Sequence, residues 1–149
     1  MQRRGYEVFR GAACAKACAR VRTAALAEAT ARPWTERLRE ALSSEIRAPW
    51  RRAHVALDLT DDVKTVLAAA TVRAAPSLLT AGLDDGSHLV ELSCMIAFPG
   101  ATEQAAHADV PRDTETPTAT LWVLLQDVGL ESGRRTCSPT TATRGRGPS

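Results

Sequence analysis

The segment LVELSCMIAFPGATEQAAHADVPRDTETPTATLWVLLQDVGLESG, residues 89–133, holds the two runs of this chain with the composition of buried β-strands. Between them stands the one pair with obvious metal chemistry, His107 and Asp109. In an extended backbone, side chains two apart point to the same face, so His-Ala-Asp presents an imidazole and a carboxylate side by side. Two histidines and one carboxylate on one face of an octahedron leave three positions open, which suits an iron(II) that must take up both a chelating co-substrate and dioxygen. His107 and Asp109 supply two-thirds of such a set. As a bare pattern, His-x-Asp turns up by chance in about one chain in six of this composition, so the flanking residues must carry the argument.

Those flanks read as follows. Residues 88–98 alternate only partly, as a strand covered on both faces does, and Pro99-Gly100 ends the run. Residues 101–109 form an irregular connection that delivers Gln104, His107 and Asp109, and residues 110–117 are a polar loop bounded by prolines. Residues 118–128 are expected to be the second core strand, with Leu121, Val123 and Leu125 facing opposite to Trp122, Leu124 and Gln126.

Working back toward the start, Asp84-Asp85-Gly86-Ser87 is a turn signal. Pro76 is expected to open a short helix through Leu79, closed by Gly82. Thr60 is a helix cap, followed by Asp61 and Asp62 where negative charge suits the dipole, with Val63, Val66 and Leu67 as the apolar stripe. Residues 54–59 alternate weakly as a strand or extended loop, and Pro49-Trp50-Arg51-Arg52 breaks the pattern before them. Residues 35–46 read as a helix with Leu38, Leu42 and Ile46 on one face. The alanine-rich residues 12–31 read as another, with Val21, Ala24, Leu26 and Ala29 near helical spacing. Tyr6-Glu7-Val8-Phe9, between Gly5 and Gly11, reads as a short strand.

At 149 residues the chain has the size of one domain. A net charge of +2 from 19 basic and 17 acidic residues is too small to argue for nucleic acid or an anionic membrane surface, and no apolar run is long enough to cross a bilayer. Cys14, Cys18, Cys94 and Cys137 lack the CxxC spacing of zinc and redox motifs and are expected to be reduced thiols in an intracellular, cytoplasmic protein. The Arg- and Ala-rich first 33 residues also have the character of an organellar transit peptide, an alternative opposed by the strand reading of residues 6–9. Residues 134–149 carry four Arg, no acidic residue and no large apolar residue, so they are expected to be a disordered tail.

Pro99-Gly100-Ala101, Gln104, His107 and Asp109, the run Leu121-Trp122-Val123-Leu124-Leu125-Gln126-Asp127-Val128 and Glu131-Ser132-Gly133 resemble the phytanoyl-CoA dioxygenase family, iron(II)- and 2-oxoglutarate-dependent oxygenases. The resemblance is densest over residues 89–133, thins before them and returns at residues 4–11, so the family-like domain is residues 1–133. It implies an α+β fold with N-terminal helices packed on a double-stranded β-helix, a jelly-roll core that is incomplete here. It also implies Fe(II) held by His107 and Asp109, and a pocket for 2-oxoglutarate and O₂ lined by Gln104, Trp122 and Met95. The activity implied is hydroxylation of a small organic substrate, an oxidoreductase reaction. Core packing is the competing role for Trp122 and Met95.

After Gly133 the resemblance stops. The family's strand ending in Pro-Gly-Thr-His, which brings the second metal histidine, aligns with Arg134, Arg135, Thr136 and Cys137 followed by Ser138-Pro139-Thr140-Thr141, and Ala142 takes the histidine position. The arginine that pairs with 2-oxoglutarate has no counterpart. A changed reading frame or a truncated gene model accounts for these losses together, and the expectation is a chain that binds iron weakly and turns over little. A binding-only relative, or a helical interaction protein with an accidental His-x-Asp, are the other classes the residues leave open.

Overall fold

The structure, a computed structural model, describes residues 6–31, 51–101 and 116–129. In chain order its elements are α1 (Ala15–Ala31), β1 (Arg52–Ala56), α2 (Asp61–Thr80) and β2 (Ser93–Ala97). The two strands pair antiparallel, with His54 opposite Met95 and Val55 opposite Cys94. The pairing runs on at both ends, through Leu57 N–H to Leu92 C=O at 3.0 Å and Phe98 N–H to Arg51 C=O at 2.9 Å.

Alanine content makes α1 a helix, since alanine loses no side-chain entropy there. Its buried stripe is Ala17, Cys18, Val21, Ala25 and Ala29, not the expected row through Ala24 and Leu26. Leu26 is more than a third exposed, because small residues allow α1 to approach its neighbours closely and a leucine does not fit that contact. Thr23 and Thr30 place their hydroxyls on the helix's own carbonyls, Ala19 at 3.0 Å and Leu26 at 2.9 Å, which satisfies them on the exposed side.

Thr60 caps α2 as expected, its Oγ1 accepting from Val63 N–H at 3.4 Å. Val63 and Val66 are buried, and Ala70 and Ala74 continue the stripe. The short helix expected to begin at Pro76 does not exist as a separate element: Pro76 lies inside α2, which runs on to Thr80. Proline deprives the carbonyl of Val72 of its helical partner. Val72 is 75% exposed, so water can take that bond and the helix continues. Gly82 does close it, at φ +89°, with Gly82 N–H bonded to Leu79 C=O and Leu83 N–H to Leu78 C=O. This double closure needs a residue in the left-handed region, which glycine adopts without strain. The Asp84 turn follows, held by Gly86 N–H on Asp84 Oδ1 at 3.0 Å and Ser87 N–H on Asp84 C=O at 3.1 Å.

Two clusters make the core. Ala17, Cys18 and Val21 of α1 meet Val63 and Val66 of α2, covered by Leu57, Leu92, Val123 and Leu125. Ala29 meets Ala53 and Val55 of β1, covered by Ile96 and Phe98 of β2. Arg20 and Asp62 form a two-point ion pair at the edge of the helix contact, with Nε to Oδ2 at 2.7 Å.

Three expected strands are corrected. Residues 6–9 are irregular and Val8 is 73% exposed; Glu7 instead accepts a hydrogen bond from Ser77 of α2. Residues 88–92 precede β2 as irregular chain, with Val90 94% exposed, so the run of residues 88–98 yields five strand residues, the first four half-buried and Ala97 exposed, instead of a strand covered on both faces. Residues 118–128 form no strand. Their alternation is nonetheless real: Leu121, Val123 and Leu125 are half-buried while Trp122, Leu124 and Gln126 are exposed. The helices satisfy the inward row, and alternation specifies faces without supplying a neighbouring backbone to pair with. The helix expected at residues 35–46, the polar loop from residue 110 and the tail from residue 134 lie outside the described residues, except that residues 116 and 117 are irregular chain. No helix among the described residues is long and apolar enough to cross a membrane.

Candidate functional site

β2 delivers the chain to the turn that opens the candidate metal segment. Ala101 N–H closes that turn on Phe98 C=O at 3.0 Å, and Gly100 sits at φ +78°. Arg51, just before β1, reaches across to donate from Nη1 to Pro99 C=O at 2.7 Å, so its guanidinium lies against Gly100 where a β-carbon would stand. The expected ligands His107 and Asp109, and the expected pocket residue Gln104, lie outside the described residues.

The other two expected pocket residues, Met95 and Trp122, are described. Met95 is half-buried on β2 opposite His54. Trp122 is 46% exposed on the outward row of its segment.

His54 and His88 were not expected to serve as ligands. His88 is exposed, and His54 is engaged in a cluster that spacing alone does not reveal. Its Nε2 lies 2.7 Å from Ser93 Oγ and 3.2 Å from Glu91 Oε1, and Ser93 Oγ donates to Glu91 Oε1 at 2.8 Å. The residues are the types of a hydrolytic triad, but the geometry differs. In a triad the acid holds Nδ1 while serine faces Nε2; here carboxylate and hydroxyl share Nε2, and the serine proton is committed to the carboxylate. The cluster therefore ties the chain before β2 to β1.

No group of three metal-ligating side chains occurs among the described residues.

The described thiols, Cys14, Cys18 and Cys94, are free. They differ in character. Backbone amides of Ala17 and Lys16, then the charges of Arg20 and Lys16, lower the Cys14 pKa, whereas burial raises Cys18 and Cys94.

Comparison of the chain with protein-family models, with curated proteins and with solved structures finds no match.

Proposed function

We propose that this chain is a relative of the phytanoyl-CoA dioxygenases, an iron(II)- and 2-oxoglutarate-dependent oxygenase-like protein of small organic substrates, whose 149 residues turn over little or nothing. The observation that supports it is the ordered set Pro99-Gly100-Ala101, Gln104, His107, Asp109, Trp122 and Glu131-Ser132-Gly133 in one 35-residue stretch. The incomplete double-stranded β-helix belongs to the same proposal. In a complete relative the iron would supply dioxygen activation, while the protein would hold His107 and Asp109 beside open coordination positions. The low turnover follows from Ala142 at the histidine position.

The test is thermal unfolding under anaerobic Fe(II), with and without 2-oxoglutarate, for the wild type and His107→Ala. A small Fe(II) stabilisation that disappears in His107→Ala is expected, with little decarboxylation of 2-oxoglutarate. Equal stabilisation of both proteins would refute ligation by His107, and sustained decarboxylation by the wild type would refute the low-turnover part. Ala142 also favours a second reading, a relative that binds a small molecule without chemistry. Sequencing the source transcript past the Gly133 codon separates the two: another frame encoding an apolar strand, a histidine and an arginine favours the enzyme, and its absence favours the binder.

A further inference from the structure

The oxygenase reading makes no use of the irregular segment before α1. Its anchor on α2 is Glu7, whose carboxylate accepts from Ser77 Oγ. Ser77 stands one helical turn after Arg73, on the same face of α2. Anchoring at Ser77 therefore sets the segment beside Arg73, and the two elements border an open cleft of about 610 Å³ lined by Glu7, Val8, Phe9, Arg10 and Arg73. That volume lies within the range of small-molecule sites.

The lining combines unmatched positive charge with an apolar wall. Arg10 and Arg73 are exposed, and among the described residues neither guanidinium has an ion-pair or hydrogen-bond partner. Other arginines at the surface do: Arg20 holds Asp62, Arg22 reaches Gln126 and Arg51 donates to Pro99 C=O. Glu7 is the one carboxylate in the lining, and it is engaged with Ser77 instead of with either arginine. Two guanidiniums against one carboxylate leave the cleft positive. Beside them Val8 is 73% exposed and Phe9 is half-buried, so an apolar group seated there would take hydrocarbon surface out of water.

A carboxylate ligand has two oxygens, which one guanidinium fork occupies. A phosphate monoester has three acceptor oxygens and about two negative charges at neutral pH, which suits two forks together. We propose that this cleft binds a small phosphate monoester with an apolar substituent, Arg10 and Arg73 holding the phosphate while Val8 and Phe9 cover the substituent. Glu7 fixes the segment through Ser77, and its charge limits the affinity for anions. Binding here requires neither His107 nor Asp109, so His107→Ala is expected to leave it unchanged.

Phenyl phosphate, inorganic phosphate and phenol are titrated separately into the full chain at low salt, with backbone amide chemical shifts as the readout. Phenyl phosphate is expected to move the Phe9, Arg10 and Arg73 amides saturably, with a Kd of about 1 mM. Inorganic phosphate, which lacks the apolar contact, is expected to bind roughly 10-fold more weakly. Phenol is expected to leave these amides in place. Arg10→Gln and Arg73→Gln should each weaken phenyl phosphate roughly 10-fold or more, whereas Val72→Ala, outside the cleft lining, should not change it. Glu7→Gln keeps an acceptor for Ser77 but removes the negative charge, and is expected to tighten binding roughly 3-fold. Shifts that fail to saturate by about 10 mM phenyl phosphate, or that are unchanged in Arg73→Gln, overturn the proposal. So does inorganic phosphate or phenol binding as tightly as phenyl phosphate.

Discussion

Replacing Val55 by alanine tests the smaller core cluster where it has least capacity to adjust. Val55 is 1% exposed and is the largest side chain buried so completely among the described residues. It stands on β1 opposite Cys94, against Ala29 and Ala53, with Ile96 and Phe98 over it. Two of those neighbours are alanines, with no side chain long enough to swing into vacated space, and the β1–β2 ladder fixes the backbone beneath them. Removing two methyl groups forfeits about 1.6 kcal/mol of transfer free energy. An unfilled cavity brings the expected loss to about 2–3 kcal/mol. For a chain of this size that lowers the unfolding temperature by about 8–12 °C. Val72, which is 75% exposed on α2, is the matched control: Val72→Ala is expected within about 0.5 kcal/mol of the wild type, helped by alanine's higher helix propensity. Urea unfolding followed by far-ultraviolet circular dichroism measures both. A Val55→Ala variant as stable as Val72→Ala would show that α1 does not pack on the sheet as described.

Thr60→Ala removes the hydroxyl that caps α2 and is expected to cost about 0.5–1 kcal/mol in the same urea experiment, the lower half of the usual range because the bond to Val63 N–H is long at 3.4 Å; Thr60→Ser, which keeps the hydroxyl, should recover most of it. The Asp62 carboxyl is held below the ordinary carboxylate range by Arg20, so its contribution is complete above about pH 4 and is lost as pH falls through the depressed folded value. The unfolding temperature of the wild type should therefore fall more steeply than that of Asp62→Asn below about pH 4. Both partners are substantially exposed, so salt should shrink the difference; parallel pH curves for the two proteins would count against the pair.

The helices were legible because their signals are local. A threonine before two aspartates and a valine stripe is a complete instruction for the start of α2, and alanine content suffices for α1. The end of α2 was misread for an equally local reason: Pro76 is a break signal, but its cost depends on whether the freed carbonyl of Val72 faces water. Strands were less legible. Residues 118–128 have the alternation of a strand and show it as alternating burial, yet what they lie against is a pair of helices. At the candidate site, the His-x-Asp pattern and its flanks could be read directly. The contact of His54 with Ser93 and Glu91 could not, since it depends on the pairing of β1 with β2 across 36 intervening residues. The exposure of Trp122 likewise depended on which row faced the helices.

Sequence alone determined that the alanine-rich run before residue 32 and the run after Thr60 are helices, with Thr60 as the cap of α2, the turn at Asp84, and the alternating faces of residues 121–126. Those features rest on interactions within a few residues of one another, or on chemistry carried by residue type. Only the tertiary structure decided that α1 buries Ala17, Cys18 and Val21 instead of Leu26, that β1 and β2 pair with Val55 opposite Cys94, and that Cys14 and Cys18 share a helix start with one thiol exposed and the other in the core. Each of these turns on which surfaces meet, and side-chain size and backbone register settle that only when distant segments are packed together.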